Sequence, residues 1–312
     1  MDLMKANQQT GYKMEAHLIR LGSARRTSVD SSGSKFRFWA CKRWLETRRW
    51  CSSPVRAERT VLSVAQRLTW SVAGANSGIG FETAKLFATT SDEFCVILAC
   101  RTRAKGEEAV SRIQAEGAAK GELYAVQLDV SDASSIRQAV ERVSSDVGRV
   151  DFLINNAGIN VQMPDLATQM RCLFAVNTAG QAAVTEAFKP LVQKSDRPRI
   201  VFVSSSVGSI GLRCDPSNKS YHGSAIAYRV SKAGLNMLAA CYAKELGEQF
   251  GCKVWALDPG LVATNLTGDA DRLRQRGAAE PVTSARTIMA TCLGERDGEV
   301  GKLIHKDGVH PW

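Results

Sequence analysis

The stretch Gly74-Ala75-Asn76-Ser77-Gly78-Ile79-Gly80 decides how this chain is read. It separates a strand expected to end at Ala73 from a helical run over residues 81–89, so its glycines stand where a strand turns sharply into a helix. Glycine adopts backbone angles that other residues avoid and carries no Cβ. A turn built from it is tight and lets phosphate oxygens reach the N–H groups at a helix N-terminus. That geometry suits a dinucleotide. As a lone pattern it is weak, since plain turns also use glycine, but its spacing, Gly-x-x-x-Gly-x-Gly, differs from the more widespread Gly-x-Gly-x-x-Gly.

Working outward, Phe94-Cys95-Val96-Ile97-Leu98-Ala99-Cys100 is a continuous apolar run of the buried parallel-strand type. Residues 104–116 form an amphipathic helical pattern, and residues 123–128 read as the next strand. Ser131 and Asp132 cap a helix through Val143, and strands follow at 150–154, 199–204, 253–257 and 301–305, with helical stretches at 163–188 and 225–250 between them. Strands alternating with helices predict an α/β fold: a doubly wound parallel sheet of the Rossmann type, in one domain over residues 59–312. The strand before Gly74 is the exception. Leu68-Thr69-Trp70-Ser71-Val72-Ala73 is less apolar than a central parallel strand should be, whereas Arg59-Thr60-Val61-Leu62 resembles a normal strand beginning. Part of residues 63–73 is therefore expected to be an aberrant insertion.

The chain has 312 residues, 44% hydrophobic and 23% charged, enough to bury a sizeable core. Its net charge of +10 is unevenly spread: residues 1–60 hold 13 Lys/Arg and 5 Asp/Glu, against 28 and 26 in the remainder. The globular part thus has no electrostatic reason to bind nucleic acid. Residues 1–58 hold three of the six tryptophans without sustained periodicity. They are expected to be a disordered or non-native extension, with mitochondrial targeting as an alternative. Nine scattered cysteines without paired Cys-x-x-Cys spacing point to a reducing, cytoplasmic setting in which most are buried as small hydrophobes. With four histidines, no metal site is expected, and no apolar run is long enough for an integral membrane span.

Tyr228 and Lys232, four residues apart on the last long helix, share one face. A cation beside a phenol favours its ionised form, so the pair is expected to supply an acid or base near neutral pH. Taken in order, the Gly-rich turn, Asp129-Val130, Asn155-Asn156-Ala157-Gly158, Asn177, Ser204-Ser205, Tyr228 to Lys232 and Pro259-Gly260 resemble the short-chain dehydrogenase/reductase family, over residues 71–312. The resemblance implies a nicotinamide cofactor and a catalytic tetrad of Asn177, Ser205, Tyr228 and Lys232. Tyr228 would exchange a proton with the substrate oxygen while hydride moves to or from the nicotinamide. Lys232 would lower the tyrosine's pKa and bind ribose hydroxyls, Ser205 would polarise the substrate oxygen, and Asn177 would hold a water that links the lysine to solvent. The family's Ser-Ser-x-x-Gly form selects Ser205 through Gly208, with Ser206 as the alternative.

The same resemblance places the cofactor against Gly74, Asn76, Ser77, Gly78, Ile79 and Gly80, against Asp129 and Val130, and against Asn156, Ala157 and Gly158. Tyr228, Lys232, Pro259, Gly260 and Thr264 complete this set. Where an acidic residue at the end of the second strand would select NAD, the chain has Arg101, with Arg103 nearby; a guanidinium suits a 2′-phosphate, so NADP (NADPH) is expected and NAD is less favoured. Ala73 replaces the threonine usual before the first glycine, removing one hydrogen bond from the turn. The nearest likeness is to carbonyl-reductase-like or retinol-dehydrogenase-like members. A small-molecule carbonyl or alcohol substrate is expected, with a 3-oxoacyl reductase or a catalytically impaired binding protein as alternatives, and a homodimer or homotetramer as the family's habit.

Overall fold

A computed structural model describes residues 67–312. In chain order its strands are β1 (Leu68–Ala73), β2 (Phe94–Cys100), β3 (Glu122–Gln127), β4 (Phe152–Asn155), β5 (Arg199–Val203), β6 (Lys253–Leu257), β7 (Leu303–His305) and β8 (Gly308–His310). The α-helices are α1 (Gly78–Thr90), α2 (Arg103–Ala115), α3 (Ala133–Asp146), α4 (Leu166–Phe174), α5 (Gly180–Val192), α6 (Ile210–Cys214), α7 (Ile226–Phe250), α8 (Ala270–Gln275) and α9 (Pro281–Leu293). The strands form one sheet in the order β3-β2-β1-β4-β5-β6-β7-β8. All neighbours pair in parallel except β7 and β8, which form a hairpin. The doubly wound α/β expectation is met, and the short strand β8 is an addition to it.

Every residue of β2 is buried, which is why its sequence shows no polar alternation. Its side chains divide between the sheet's two faces: Cys95, Ile97 and Ala99 pack with Val184, Phe188, Leu235 and Tyr242. Val96, Leu98 and Cys100 pack with Phe81, Phe87, Ile113 and Ile288 on the other side. Helices therefore cover both faces. Four of the seven described cysteines are buried, while Cys214 and Cys241 are exposed.

The expectation for the first strand requires correction. Leu68–Ala73 is itself the central strand, paired along its whole length with β2 and also with β4. Its indole accounts for the unusual sequence: Trp70 is fully buried, stacked on Phe87 and on Phe152 with centroids 3.8 Å apart, and edge-on to Phe94 at 5.2 Å. An aromatic cluster supplies burial that a run of aliphatic side chains would otherwise provide. Thr69 N donates to Asp151 Oδ2 at 2.8 Å, anchoring the strand's beginning. The proposed insertion thus excludes Leu68–Ala73. Of its remaining part, Arg67 is described, whereas residues 63–66, together with Arg59 to Leu62 and the 1–58 extension, lie outside the described residues.

Because the strands are parallel, the segments after β1, β4, β5 and β6 emerge along one edge of the sheet. Ligands of open α/β sheets bind at that edge. Among the described residues, no helix is long and apolar enough to cross a membrane.

Candidate active site

At the end of β1 the chain enters a left-handed turn at Gly74, φ +72°, and Gly74 N donates to Ala99 O at 2.8 Å. The third glycine answers a different need: a Cβ on Gly80 would lie 2.3 Å from Gly74 O and 2.6 Å from Asn156 Nδ2, so only glycine lets α1 begin this close to the turn. Asn156 braces the turn, its Nδ2 donating to Ala73 O at 3.0 Å and Gly74 O at 3.2 Å. Replacement of threonine by Ala73 therefore leaves the turn held from β4.

A cleft of about 570 Å³ opens beside the turn. Of the expected cofactor residues, Gly74, Asn76, Ser77, Gly78, Ile79, Arg101, Asp129, Val130, Asn156, Ala157, Gly158, Tyr228, Lys232, Pro259 and Thr264 line it. Gly80 and Gly260 do not; Gly260 adopts φ +75° in the loop after β6. The loop after β6 closes over the cleft, where Thr264 Cγ2 would touch a Cβ on Gly78 at 3.2 Å.

The charge of the cleft is mostly positive, from Arg101, Lys105 and Lys232 against one carboxylate, Asp129. Arg101 is exposed and makes no hydrogen bond or ion pair with another described residue. Arg103, by contrast, is tied to Glu107 at 2.7 Å and is absent from the cleft. Lys105 escaped sequence reasoning, although it stands four residues after Arg101 at the start of α2. Asp129 accepts from Ser131 N at 2.9 Å and Ser131 Oγ at 2.6 Å, so its carboxylate both shapes a turn and faces the cleft.

The expected tetrad residues sit on three elements: Tyr228 and Lys232 line the cleft, whereas Asn177 and Ser205 do not. A π-helical turn, Ala175–Ala179, joins α4 to α5 and carries Asn177, which is fully buried. Its side chain accepts from Ile159 N at 2.8 Å and donates to Ile159 O at 2.9 Å and Ser231 Oγ at 3.1 Å. Such bulges redirect a side chain that a regular helix would aim elsewhere. Gly158 lies between Asn177 and Lys232: a Cβ there would sit 3.4 Å from Asn177 Oδ1 and 3.8 Å from Lys232 Nζ.

Ser205 follows the cleft residues Val203 and Ser204 and accepts from Val207 N at 3.3 Å, capping the turn Ser206–Gly208. A Cβ on Gly208 would fall 2.5 Å from Lys232 C, so this glycine allows the serine turn to pack against α7 at the lysine. Here lies the physical sense of the Ser-x-x-Gly spacing. Ser206 lies beside Asp258 and helps hold that carboxyl below its usual range.

Just before α7, Ala225 adopts φ +69°, unusual for a residue with a Cβ, and Arg229 Nε secures the approach by donating to Ser224 O at 2.8 Å. Lys232 is 4% exposed and donates to Val203 O at 2.9 Å, with its Nζ 5.8 Å from the Tyr228 ring centroid. Burial pulls its ammonium down to about 8, opposed by the charge of Asp258. Burial and, secondarily, Asp258 push the Tyr228 phenol well above its ordinary value. Desolvation is thus the larger influence on the phenol in this structure, and the expected lowering by Lys232 is not among the influences acting on it.

Ile159, Cys172, Val176 and Leu266 add an apolar wall that sequence reasoning did not anticipate. They come from loops and a helix far apart in the chain, and no local motif marks them. Among the described residues, no cluster of three or more His, Cys, Asp or Glu side chains is placed to hold a metal.

A profile of the short chain dehydrogenase family matches residues 69–274. The chain is 32% identical to short-chain dehydrogenase/reductase tropE of Talaromyces stipitatus over 77% of its own length and 96% of that protein. It is 31% identical to (+)-neomenthol dehydrogenase of Arabidopsis thaliana, over 69% of this chain and 90% of that one. Among solved structures, NADPH-bound carbonyl reductase from chicken fatty liver superposes with a TM-score of 0.67 at 26% identity, covering 79% of this chain and all of that one. The order of the strands, the glycine turn and the matched length agree: this chain belongs to the short-chain dehydrogenase/reductase family of oxidoreductases.

Proposed function

We propose that this protein is an NADP-dependent reductase of a small aldehyde or ketone, with Tyr228 as the proton donor. The observation that carries the reading is the company Tyr228 keeps: it lines one cleft with Lys232, the glycine turn and two cations, Arg101 and Lys105. The cleft fits a dinucleotide, since three glycines leave room at a helix N-terminus and the cationic lining suits phosphates. NADPH, when bound, would supply the hydride.

The remaining chemistry belongs to the chain. Backbone N–H groups at the start of α1 would take the pyrophosphate, and Arg101 with Lys105 would take the 2′-phosphate. Lys232 would hold ribose hydroxyls. Ser205 would donate to the substrate oxygen, and Tyr228 would deliver its phenolic proton to the same atom. Burial keeps the Tyr228 phenol in its protonated form, the form a proton donor needs. Asn177 holds the turn at Ile159 and reaches Ser231, the residue beside Lys232, and would seat the water that returns a proton to the pair. The apolar wall of Ile159, Cys172, Val176 and Leu266 suits a substrate with a hydrophobic body rather than a charged one.

The carbonyl reductase from chicken fatty liver was solved with NADPH, whereas a 3-ketoacyl-(acyl-carrier-protein) reductase from Brucella melitensis of the same fold, 23% identical, was solved with NADH. The coenzyme preference proposed here therefore rests on Arg101 and Lys105. Titration with NADPH and NADH, followed by a panel of aldehydes and ketones, tests the whole reading. Tyr228→Phe should bind NADPH as before and lose about 10²- to 10⁴-fold in kcat. Undiminished turnover in that variant refutes the mechanism.

A further inference from the structure

Asp258 stands directly after β6, is 5% exposed, and has been given no contact with coenzyme or substrate above. Four parts of the chain meet on it. Its Oδ1 accepts from Gly260 N at 3.0 Å, and its Oδ2 lies 3.0 Å from His310 Nε2. Ser206 stands near enough to help hold the carboxyl ionised, and Asp258 N donates to Ile304 O at 2.8 Å. Burial alone would raise the carboxyl's pKa, but His310, Gly260 and Ser206 together outweigh it and hold the group below its usual range. A carboxylate only accepts, so His310 Nε2 bears the proton it shares.

His310 belongs to β8, and its ring stacks on that of His305 at 4.1 Å. The next residues continue the contact. Ser209 Oγ donates to Pro311 O at 2.6 Å, and Gly211 N donates to Trp312 O at 2.8 Å. The segment from His310 to Trp312 thereby grips the stretch that begins with Ser205, while Asp258 grips both that stretch and the turn at Gly260.

We propose that His310 and Asp258 form a positioning clamp, in which the histidine fixes a buried carboxylate that in turn sets the Ser205 turn against the Pro259-Gly260 loop. The clamp is defined by geometry, and only its effect on rate rests on the reductase reading. The charged and titratable groups around the carboxylate are Tyr228 and Lys232 from α7 and His305 and His310 from the hairpin. Arg296 is occupied with His305 O and Gly308 O, each at 2.9 Å, and Asp307 is paired with Lys306. The Asp258 charge raises the pKa of both Tyr228 and Lys232, so its removal lowers both.

The test uses the full chain as wild type, His310→Ala, His310→Gln, Asp258→Asn and, as a hairpin control, Val309→Thr at an exposed position. Hydrogen–deuterium exchange is followed at residues 205–211 and 258–264, together with the pH dependence of kcat/KM for NADPH-driven carbonyl reduction. His310→Ala should speed exchange in both segments and lower kcat/KM about tenfold, the loss expected for one hydrogen bond to a charged group. His310→Gln, which keeps a donor, should recover most of both effects. Asp258→Asn should displace the pH profile toward lower pH, and Val309→Thr should match wild type. Exchange that rises only in the hairpin, or uniformly over the sheet, overturns the clamp, as does a glutamine variant no better than alanine. If wild type reduces no carbonyl, the reductase reading fails while the exchange measurements still decide the clamp. Should His310→Ala not fold, exchange in His310→Gln and Asp258→Asn decides it.

Discussion

Replacing Arg101 and Lys105 by alanine isolates the coenzyme's 2′-phosphate from everything else the cleft binds. NADPH and NADH differ only there, so the ratio of their dissociation constants cancels the pyrophosphate, ribose and nicotinamide contributions. Both cations line the cleft, and neither makes a hydrogen bond or ion pair with another described residue that a phosphate would have to displace. A hydrogen bond to a charged group contributes about 1.5–3 kcal/mol, and the exposure of Arg101 places it at the lower end. About 1.5 kcal/mol corresponds to about tenfold in NADPH affinity for Arg101→Ala. Lys105→Ala, removing a point charge without the planar fork, should cost less, about threefold in NADPH affinity. NADH affinity should remain within about twofold, because the lost partners face a phosphate it lacks. Arg103→Ala serves as the control, since that guanidinium is already paired with Glu107. Titration by nicotinamide fluorescence at two salt concentrations is the assay, with the NADPH effect shrinking at the higher one as exposed charges are screened. An equal loss for NADH, an unchanged NADPH/NADH ratio, or a larger effect from Arg103→Ala refutes the reasoning.

Lys232 should leave a signature in stability. Its folded pKa of about 8 lies below the unfolded value of 10.5, so between these the unfolded chain binds the extra proton and stability rises with pH. Lys232→Met should accordingly be the more stable protein at pH 7, by about 2–3 kcal/mol, with the difference fading as pH approaches 10.5; denaturant unfolding across that range checks it, and a pH-independent difference contradicts it. Trp70→Ala should destabilise by about 3–5 kcal/mol in the same assay, as expected for a fully buried aromatic at the centre of a cluster. A change below about 1 kcal/mol would mean that Leu68–Ala73 is not the central strand.

Much of the fold was legible because the signals are local. Phe94–Cys100 announces a doubly covered parallel strand by its unbroken apolarity, and Asp132 caps α3 by accepting from Ser134 N at 2.8 Å. Leu68–Ala73 misled for a tertiary reason: apolarity counted along the strand cannot register that Trp70 stacks between Phe87 and Phe152. The replacement of threonine by Ala73 likewise looked like a loss until Asn156 was found donating to Ala73 O across the sheet. Strand β8 is three residues long, too short for any periodicity to show.

By itself the sequence determined the alternation of strands and helices, the glycine turn, and the order of tetrad residue types. These follow from steric and periodic rules that act over a few neighbouring residues. The tertiary structure decided which partner each polar group meets: Ser206 placed beside Asp258, Lys105 brought into the cleft beside Arg101, and His310 set against Asp258 at 3.0 Å. It also decided how deeply Tyr228 is buried, which pushes its phenol up. Desolvation and hydrogen bonding sum over groups far apart in the chain, so their balance is settled only when the strand order has brought those groups together.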